Sequence, residues 1–110
     1  MAKREELLGS LEHIVLLAVM RLGDEAYGIT VRDEIHSATG RDLSVGAVYA
    51  TLVRLEAKGF IKSSAGEPTA ERGGRAKRYF RVTGDGRVAL RNTQDMIQKM
   101  SAGIKGLGAT

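Results

Sequence analysis

The sequence predicts a mostly α-helical domain that carries one small β-hairpin. Three observations predict this fold class. Apolar residues recur at helical spacing through the first 60 residues, two short strand-like runs follow, and a further helical pattern begins after residue 83. At 110 residues the chain is long enough for one domain with a modest buried core. Its 43% hydrophobic and 27% charged residues are typical of soluble globular proteins.

The first predicted helix extends from Glu5 to about Leu22. Its apolar residues recur at steps of three and four, which places them on one wide buried face. These residues are Leu7, Leu8, Leu11, Ile14, Val15, Ala18 and Leu22. Gly23 and Asp24 follow and are expected to end the helix.

The second helix is predicted over about residues 26–39, because Tyr27, Val31 and Ile35 are spaced at i, i+4 and i+8. Gly40 stands where a left-handed residue commonly ends a helix. The residues that follow, "RDLS", are expected to form a short turn.

The third helix is predicted over about residues 45–58, and Gly59 closes it. Ser44 is the expected N-cap, since its hydroxyl can accept a hydrogen bond from the first backbone amides of the helix. The predicted buried face consists of Val48, Leu52 and Leu55. Three helices in under 60 residues, with a short turn between the second and third, indicate a helix-turn-helix core.

Residues 60–64 and 77–83 are short strand-like runs. The segment between them, "AGEPTAERGGRA", is rich in glycine and charge and holds the only proline, so the two runs predict a hairpin with a long tip. Three helices followed by such a hairpin form the winged helix-turn-helix arrangement.

A last helix is predicted from about Gly84, with Thr83 as its cap. Its apolar seam is coiled-coil-like and runs through Leu90, Thr93, Ile97, Met100, Ile104 and Leu107. A helix so short and rich in glycine is not stable alone. We therefore expect the seam to form the interface of a twofold homodimer, with cover inside its own domain as the alternative. The predicted interface residues are Leu90, Ile97, Met100, Ile104 and Leu107. Residues 1–83 would form the winged helix-turn-helix domain and residues 84–110 the C-terminal dimerisation helix.

The excess positive charge is concentrated in one quarter of the chain. Residues 54–81 hold eight basic against three acidic residues, a net of +5, so the remainder nets −1 against a total of +4. Within this stretch, "RGGRAKRYFRVT" carries five cations. A solvated surface strand is one interpretation, but such asymmetry is typical of proteins that bind a phosphate backbone.

The second helix of a helix-turn-helix motif enters the DNA major groove by its N-terminal end. Here Ser44, Val45, Gly46 and Ala47 are small, which permits close approach, and free amides at a helix N-terminus favour a phosphate. Tyr49 is predicted to contact DNA, although it could instead pack at the domain boundary. Thr51, on the same helix, completes this set of predicted DNA contacts.

The first two turns of this helix hold no Asn, Gln or Arg for bidentate base reading. Contacts of Val45 and Ala47 with thymine methyls, together with DNA shape, are therefore expected to contribute to sequence reading. Three wing cations, Arg72, Arg75 and Lys77, are expected to follow the DNA backbone or enter a minor groove. For Arg54 and Lys58, both solvent exposure and DNA contact stay open.

Other classes of function find little support. The chain has no cysteine, which excludes disulfides and cysteine-ligated metal sites, and His13 and His36 are too far apart in sequence for a helical metal pair. Both histidines are expected at surface or boundary positions. No constellation of reactive groups suggests an enzyme, and no cofactor is expected. The longest apolar run is too short to span a membrane, so we expect a cytoplasmic protein with no membrane partner.

Four segments in this order resemble the PadR family of bacterial transcriptional regulators: "GSLEHIVLLAV", "AYGITVRDEI", "LSVGAVYATLVRLEAKGFI" and "GGRAKRYFRVTGDGRVAL". The resemblance implies a dimeric winged-helix repressor whose C-terminal helix supplies much of the dimer contact. It also implies that Ser44, Gly46 and Tyr49 lie at the DNA surface and that Arg75 and Lys77 belong to the wing.

The resemblance implies double-stranded DNA as the partner, and a small apolar effector near Met96 and Met100 would fit their flexible side chains. Some compact family members bind flat aromatic compounds between tryptophans, whereas this chain has no tryptophan. The alternative function is a winged-helix module that binds an acidic protein, because fold alone does not decide function.

Overall fold

The computed structural model describes residues 7–66 and 77–107. The elements are α1 (Ser10–Leu22), a 3₁₀ turn (Gly23–Glu25), α2 (Gly28–Thr39), α3 (Val45–Ala57), β1 (Ile61–Ala65), β2 (Arg78–Val82) and α4 (Gly84–Ser101). This order confirms the predicted fold class, a winged helix-turn-helix followed by a C-terminal helix. In the described residues, no helix combines the length and apolar character needed to cross a membrane.

The core lies where α1, α2 and α3 meet, and the hairpin and the first half of α4 cover it. Leu16 of α1, Val31 of α2 and Leu52 of α3 are completely buried. The hairpin contributes Ile61 and Phe80. Removal of these apolar side chains from water is the main favourable term that holds the helices in place.

Two predicted caps and one predicted helix end are confirmed. The Ser44 hydroxyl accepts a hydrogen bond from the Ala47 amide at 3.0 Å, and the Thr83 hydroxyl accepts one from the Gly86 amide at 3.0 Å. Each cap satisfies one of the amides that a helix N-terminus leaves without an intrahelical partner. Gly40 ends α2 with a left-handed backbone, at φ 77°.

Helix α2 begins two residues later than predicted. The Ala26 carbonyl accepts a hydrogen bond from the Phe80 amide at 2.9 Å, so the chain before α2 lies beside β2. Tyr27 is extended, and its amide donates to the Thr30 hydroxyl at 2.9 Å. The pairing with β2 therefore removes Ala26 from the helix.

Helix α1 begins at Ser10, whereas the sequence predicted a start at Glu5, which lies outside the described residues. The Glu12 carboxylate accepts a hydrogen bond from the Gly9 amide at 3.0 Å, which caps the helix at this point. One residue earlier, the Leu8 amide donates to the Thr93 hydroxyl of α4 at 3.1 Å. The start of α1 is thus tied to α4.

The sequence predicted a surface or boundary position for His13, but the residue is buried. It is only 9% exposed on α1, and its Nε2 is inaccessible and makes no hydrogen bond within the described part of the chain. The surface expectation followed from the absence of a partner histidine, which says nothing about burial.

The antiparallel strands β1 and β2 pair from Ile61 opposite Val82 to Ala65 opposite Arg78. Ile61 and Phe80 point into the core and are buried. Lys62 and Arg81 lie opposite each other in the two strands, and both are exposed. The predicted tip of the hairpin, with Pro68, lies outside the described residues.

Helix α4 ends at Ser101, before the predicted seam is complete. Gly103 and Gly106 adopt positive φ values of 82° and 79°, a backbone that interrupts a helix. Ile104 and Leu107 therefore follow in turns rather than on the helical seam. Leu90 also differs from the prediction, because it is 6% exposed and packs in the core of its own chain.

Candidate nucleic-acid interface

The N-terminal end of α3 is an exposed surface of small residues. Ser44, Val45 and Gly46 are exposed and Ala47 is half-buried. The Ser44 cap fixes where the helix begins. A β-carbon added at Gly46 would meet only the Ser44 hydroxyl, at 4.0 Å, so no packing inside the chain requires glycine there. The surface at Gly46 is open to a molecule outside the chain.

Tyr49 lies one turn further along α3 and contacts the wing. Its ring meets the buried ring of Phe80 edge-on, with centroids 6.4 Å apart, while 42% of the residue remains exposed. Both interpretations of Tyr49 drawn from the sequence thus have a structural basis, packing against β2 and exposure to a partner. The contact couples α3 to the strand behind it.

Thr51 is corrected. It is 1% exposed, and its hydroxyl donates to the Ala47 carbonyl within the helix at 2.9 Å. A side chain buried in this way has no surface to offer to DNA, so Thr51 is removed from the set of contact residues.

Val53, which the sequence reasoning missed, is exposed on the same helix. Val45, Tyr49 and Val53 are 37%, 42% and 48% exposed. They are spaced at i, i+4 and i+8, so they form one apolar stripe along the outer face of α3. The signal was present in the sequence, because Val53 continues the four-residue steps from Val45 and Tyr49.

Two cations at the C-terminal end of α3 pair with a carboxylate of α1. The Lys58 ammonium lies 2.9 Å from Glu12 Oε2, and Arg54 Nε lies 3.4 Å from the same oxygen. Glu12 is itself buried, with 7% exposed. Both side chains thus pair with Glu12 and are also partly exposed, 54% for Arg54 and 35% for Lys58.

The charge of Glu12 is stabilised by this arrangement. Burial alone would raise the pKa of the Glu12 carboxyl, but the Gly9 amide, the Lys58 ammonium and the Arg54 guanidinium together hold that pKa below its ordinary value of 4.5. Glu12 is therefore ionised at neutral pH, and it offsets part of the positive charge counted over residues 54–81.

At the base of the wing, the Lys77 side chain contacts Tyr27. The Lys77 ammonium lies 3.3 Å from the Tyr27 hydroxyl and 4.5 Å from the centre of its ring. The ring of Tyr27 also packs edge-on against Tyr79 of β2, with centroids 5.2 Å apart. Lys77 is therefore fixed next to the start of α2. Two other predicted wing contacts, Arg72 and Arg75, lie outside the described residues.

The exposed face of the hairpin carries further cations. Lys62 of β1 and Arg78 of β2 are exposed. Arg81 is also exposed, but it pairs with Asp24 of the 3₁₀ turn. An exposed ion pair of this kind is weak and can open when a stronger anion approaches.

Three core helices, the second and third joined by a short turn, and a cationic hairpin define a winged helix-turn-helix protein. The sequence matches the transcriptional regulator PadR-like family over residues 16–92, and the chain belongs to that family. It is therefore a DNA-binding transcriptional regulator, and its family is one of regulators rather than enzymes.

Solved structures show the same fold. A transcriptional regulator from Clostridium thermocellum is 24% identical, covers 89% of this chain and 92% of its own, and superposes with a TM-score of 0.71. A PadR family regulator from Clostridium difficile is 22% identical over 84% of this chain and 95% of its own, with a TM-score of 0.66. A PadR-like regulator from Bacillus cereus is 19% identical over 83% and 84%, with a TM-score of 0.67. No functionally curated sequence matches this chain significantly.

Proposed function

We propose that the chain is a homodimeric repressor that binds an operator through the N-terminal end of α3 and the wing, and that a small effector releases it. The observation that carries the DNA contact is the open, capped end of α3 at Ser44, Val45 and Gly46. A helix end of this kind offers backbone amides to a phosphate, and its small side chains allow the backbone to come close.

The proposed contact residues on α3 are Ser44, Val45, Gly46, Ala47 and Tyr49. On the wing they are Arg72, Arg75 and Lys77. Tyr27 holds Lys77 beside the start of α2, on the element that precedes α3 in the helix-turn-helix motif. This arrangement favours a wing that follows the phosphate backbone while α3 lies in the major groove.

The second half of α4 supports a homodimer. Met96, Ile97 and Met100 are 43%, 53% and 74% exposed, and Ile104 and Leu107 beyond the helix are also exposed. An apolar surface of this kind is typical of an interface, and two identical copies related by a twofold axis are the simplest partners. Leu90 is excluded from this surface by its burial. Residues 1–83 thus serve DNA binding and residues 84–110 serve dimerisation, although the first half of α4 also completes the core.

Release by an effector follows from the position of the proposed interface. Met96 and Met100 are flexible and tolerate ligands of varied shape. A small apolar molecule between two copies of α4 would change the spacing of the two α3 helices, and binding to two half-sites depends on that spacing. The assignment as a repressor rests on the resemblance to the family.

Selection from a library of random duplexes tests the dimer and the DNA contact together. The expected product is a twofold-symmetric site with two half-sites about one helical turn apart. Enrichment of a single, asymmetric half-site would contradict the homodimer. No enrichment, combined with salt-sensitive binding to an acidic protein surface, would favour the alternative of a protein-binding module.

The wing is tested by the variant R75A/K77A on the selected duplex. Each phosphate contact adds roughly 0.9 to the slope of log affinity against log salt, so loss of both should reduce the slope by about 1.8 per protomer. The control R21A removes an exposed charge at the end of α1, outside α3, the wing and the proposed dimer segment, and should leave the slope unchanged. An unchanged slope in R75A/K77A would remove the wing from the proposal.

A further inference from the structure

We propose that α3 recognises its operator through thymine methyl groups, with Val45, Tyr49 and Val53 as the specificity-determining residues. This inference rests on the proposed DNA contact and names what that contact reads. It starts from the apolar stripe of α3, whose three members are 37%, 42% and 48% exposed.

Apolar residues scattered singly on a surface are ordinary, whereas these three lie in one continuous row on the helix proposed to enter the major groove. The stripe continues directly from Val45, at the helix end, to Val53 two turns later. Eight residues of α-helix extend about 12 Å, which is the length of three to four base-pair steps. The stripe is therefore long enough to contact several successive bases rather than one.

The same face offers few hydrogen-bonding groups for base reading. Between Val45 and Val53 the helix has no Asn, Gln, Arg or Lys, the residues that make bidentate bonds to bases. Arg54, the first cation after them, lies 3.4 Å from Glu12 Oε2. The Thr51 hydroxyl is turned inward, and the Ser44 hydroxyl accepts from the Ala47 amide. Polar reading by this face is thus left mainly to the Tyr49 hydroxyl and to the Ser44 hydroxyl, which can still donate its own proton.

Each base pair presents a distinct pattern in the major groove, and the C5-methyl of thymine is the apolar group in that pattern. An apolar stripe that enters the groove gains by covering such methyls and loses where it covers an unpaired amino or carbonyl group. Sites with thymines under the stripe should therefore be preferred over sites with G·C pairs there.

The test uses the duplex obtained by selection and replaces its thymines by deoxyuridine, one at a time. This change removes the methyl group and leaves the hydrogen-bonding groups of the base pair in place. At thymines under α3 we expect roughly a three- to fourfold loss of affinity for each methyl removed. Thymines in the flanking sequence serve as the internal control and should show no loss.

Variants of the stripe assign the methyls to side chains. V45A or V53A should abolish the penalty of deoxyuridine at one position and leave it unchanged at the others. The control is M20A, a substitution of an apolar residue of similar exposure, 38%, on α1. Y49F should retain the methyl effect, since the ring rather than the hydroxyl makes the apolar contact.

Two results would overturn the inference while leaving the proposed function intact. One is a selected site with G·C pairs beneath α3, and the other is equal affinity for the thymine and deoxyuridine duplexes. Failure of the proposed function itself would appear earlier, as a selection that enriches no sequence. A purified protein that binds the stripe in place of DNA would also contradict the inference.

Discussion

Gly46 and Gly86 both lie in the first turn of a helix, yet the structure requires glycine for packing at only one of them. At Gly86 an added β-carbon would overlap the backbone carbonyl oxygen of Phe60 and crowd Val82 Cγ1. At Gly46 the corresponding space is open. Substitution by alanine should therefore have opposite consequences for folding at the two positions.

We expect G86A to destabilise the fold by about 1–3 kcal/mol, since α4 would have to move away from the end of α3 and the start of β1. Urea unfolding followed by circular dichroism measures the change. G84A is the matched control, because a β-carbon at Gly84 meets nothing within 4 Å. Equal stability of G86A and G84A would show that the close approach of α4 to Phe60 is wrong.

We expect G46A to raise the free energy of unfolding by about 0.5–1 kcal/mol, the usual gain when alanine replaces glycine in a helix. The same variant should bind operator DNA more weakly, because the new methyl would stand between α3 and the duplex. Unfolding and fluorescence anisotropy on one protein preparation separate the two effects. Unchanged DNA affinity would place the contact elsewhere.

Residue-scale features were predictable where the chemistry is local. The caps at Ser44 and Thr83 follow from the residue itself and the amides next to it. The burial of Thr51 could also have been foreseen, because it continues the spacing of Val48 and Leu55. The pairing of Glu12 with Lys58 could not, since it joins residues 46 positions apart whose proximity only the folded chain creates.

At the scale of elements, α1 connects the other helices. Its start is bonded to α4 through the Leu8 amide and the Thr93 hydroxyl, and Glu12 joins it to the end of α3 through Lys58. Polar contacts thus link α4 and the end of α3 to the same helix. Both contacts lie away from the proposed sites, since Lys58 follows the C-terminal end of α3 and Thr93 lies in the first half of α4.

The Glu12 network predicts a specific dependence of stability on pH. The folded state lowers the pKa of Glu12 below its ordinary value of 4.5. The ionised carboxyl therefore stabilises the fold above pH 4.5, and this stabilisation is lost as the pH falls further. E12Q should cost about 1.5 kcal/mol at neutral pH. The difference between E12Q and the parent protein should shrink as unfolding is measured from pH 7 down to about pH 3.

The control for this experiment is D33N, which removes a carboxylate that pairs with Arg32 at the surface and is 62% exposed. Its effect should be small, as for most exposed pairs. A difference between E12Q and the parent that stays constant with pH would contradict the stabilising role of the Glu12 charge.

Element boundaries show where prediction from sequence stops. The shift in the start of α2 arises because the Ala26 carbonyl pairs with β2, a partner more than 50 residues away in the chain. The early end of α4 was foreseeable in principle, since Gly103 and Gly106 interrupt the seam. The predicted helix extended beyond both glycines because it was based on apolar spacing, which contains no information on backbone conformation.

At the scale of the whole molecule, the exposed apolar half of α4 predicts self-association. I97E/M100E should convert a dimer to a monomer, because two charges would be buried without partners at the interface. Sedimentation velocity gives the mass directly, and the circular dichroism spectrum should stay unchanged. Q98E, on another face of the same helix, is the control for added charge. A dimer that survives I97E/M100E would contradict the proposed interface.

The central claim is that the chain binds a specific DNA sequence through α3 and the wing. Its most direct test is an anisotropy titration of the selected duplex and a scrambled duplex at two salt concentrations. We predict saturable binding that the scrambled duplex cannot match, and a steep loss of affinity with salt that reflects several phosphate contacts. Equal affinity for both duplexes, or binding that salt does not weaken, would contradict the claim.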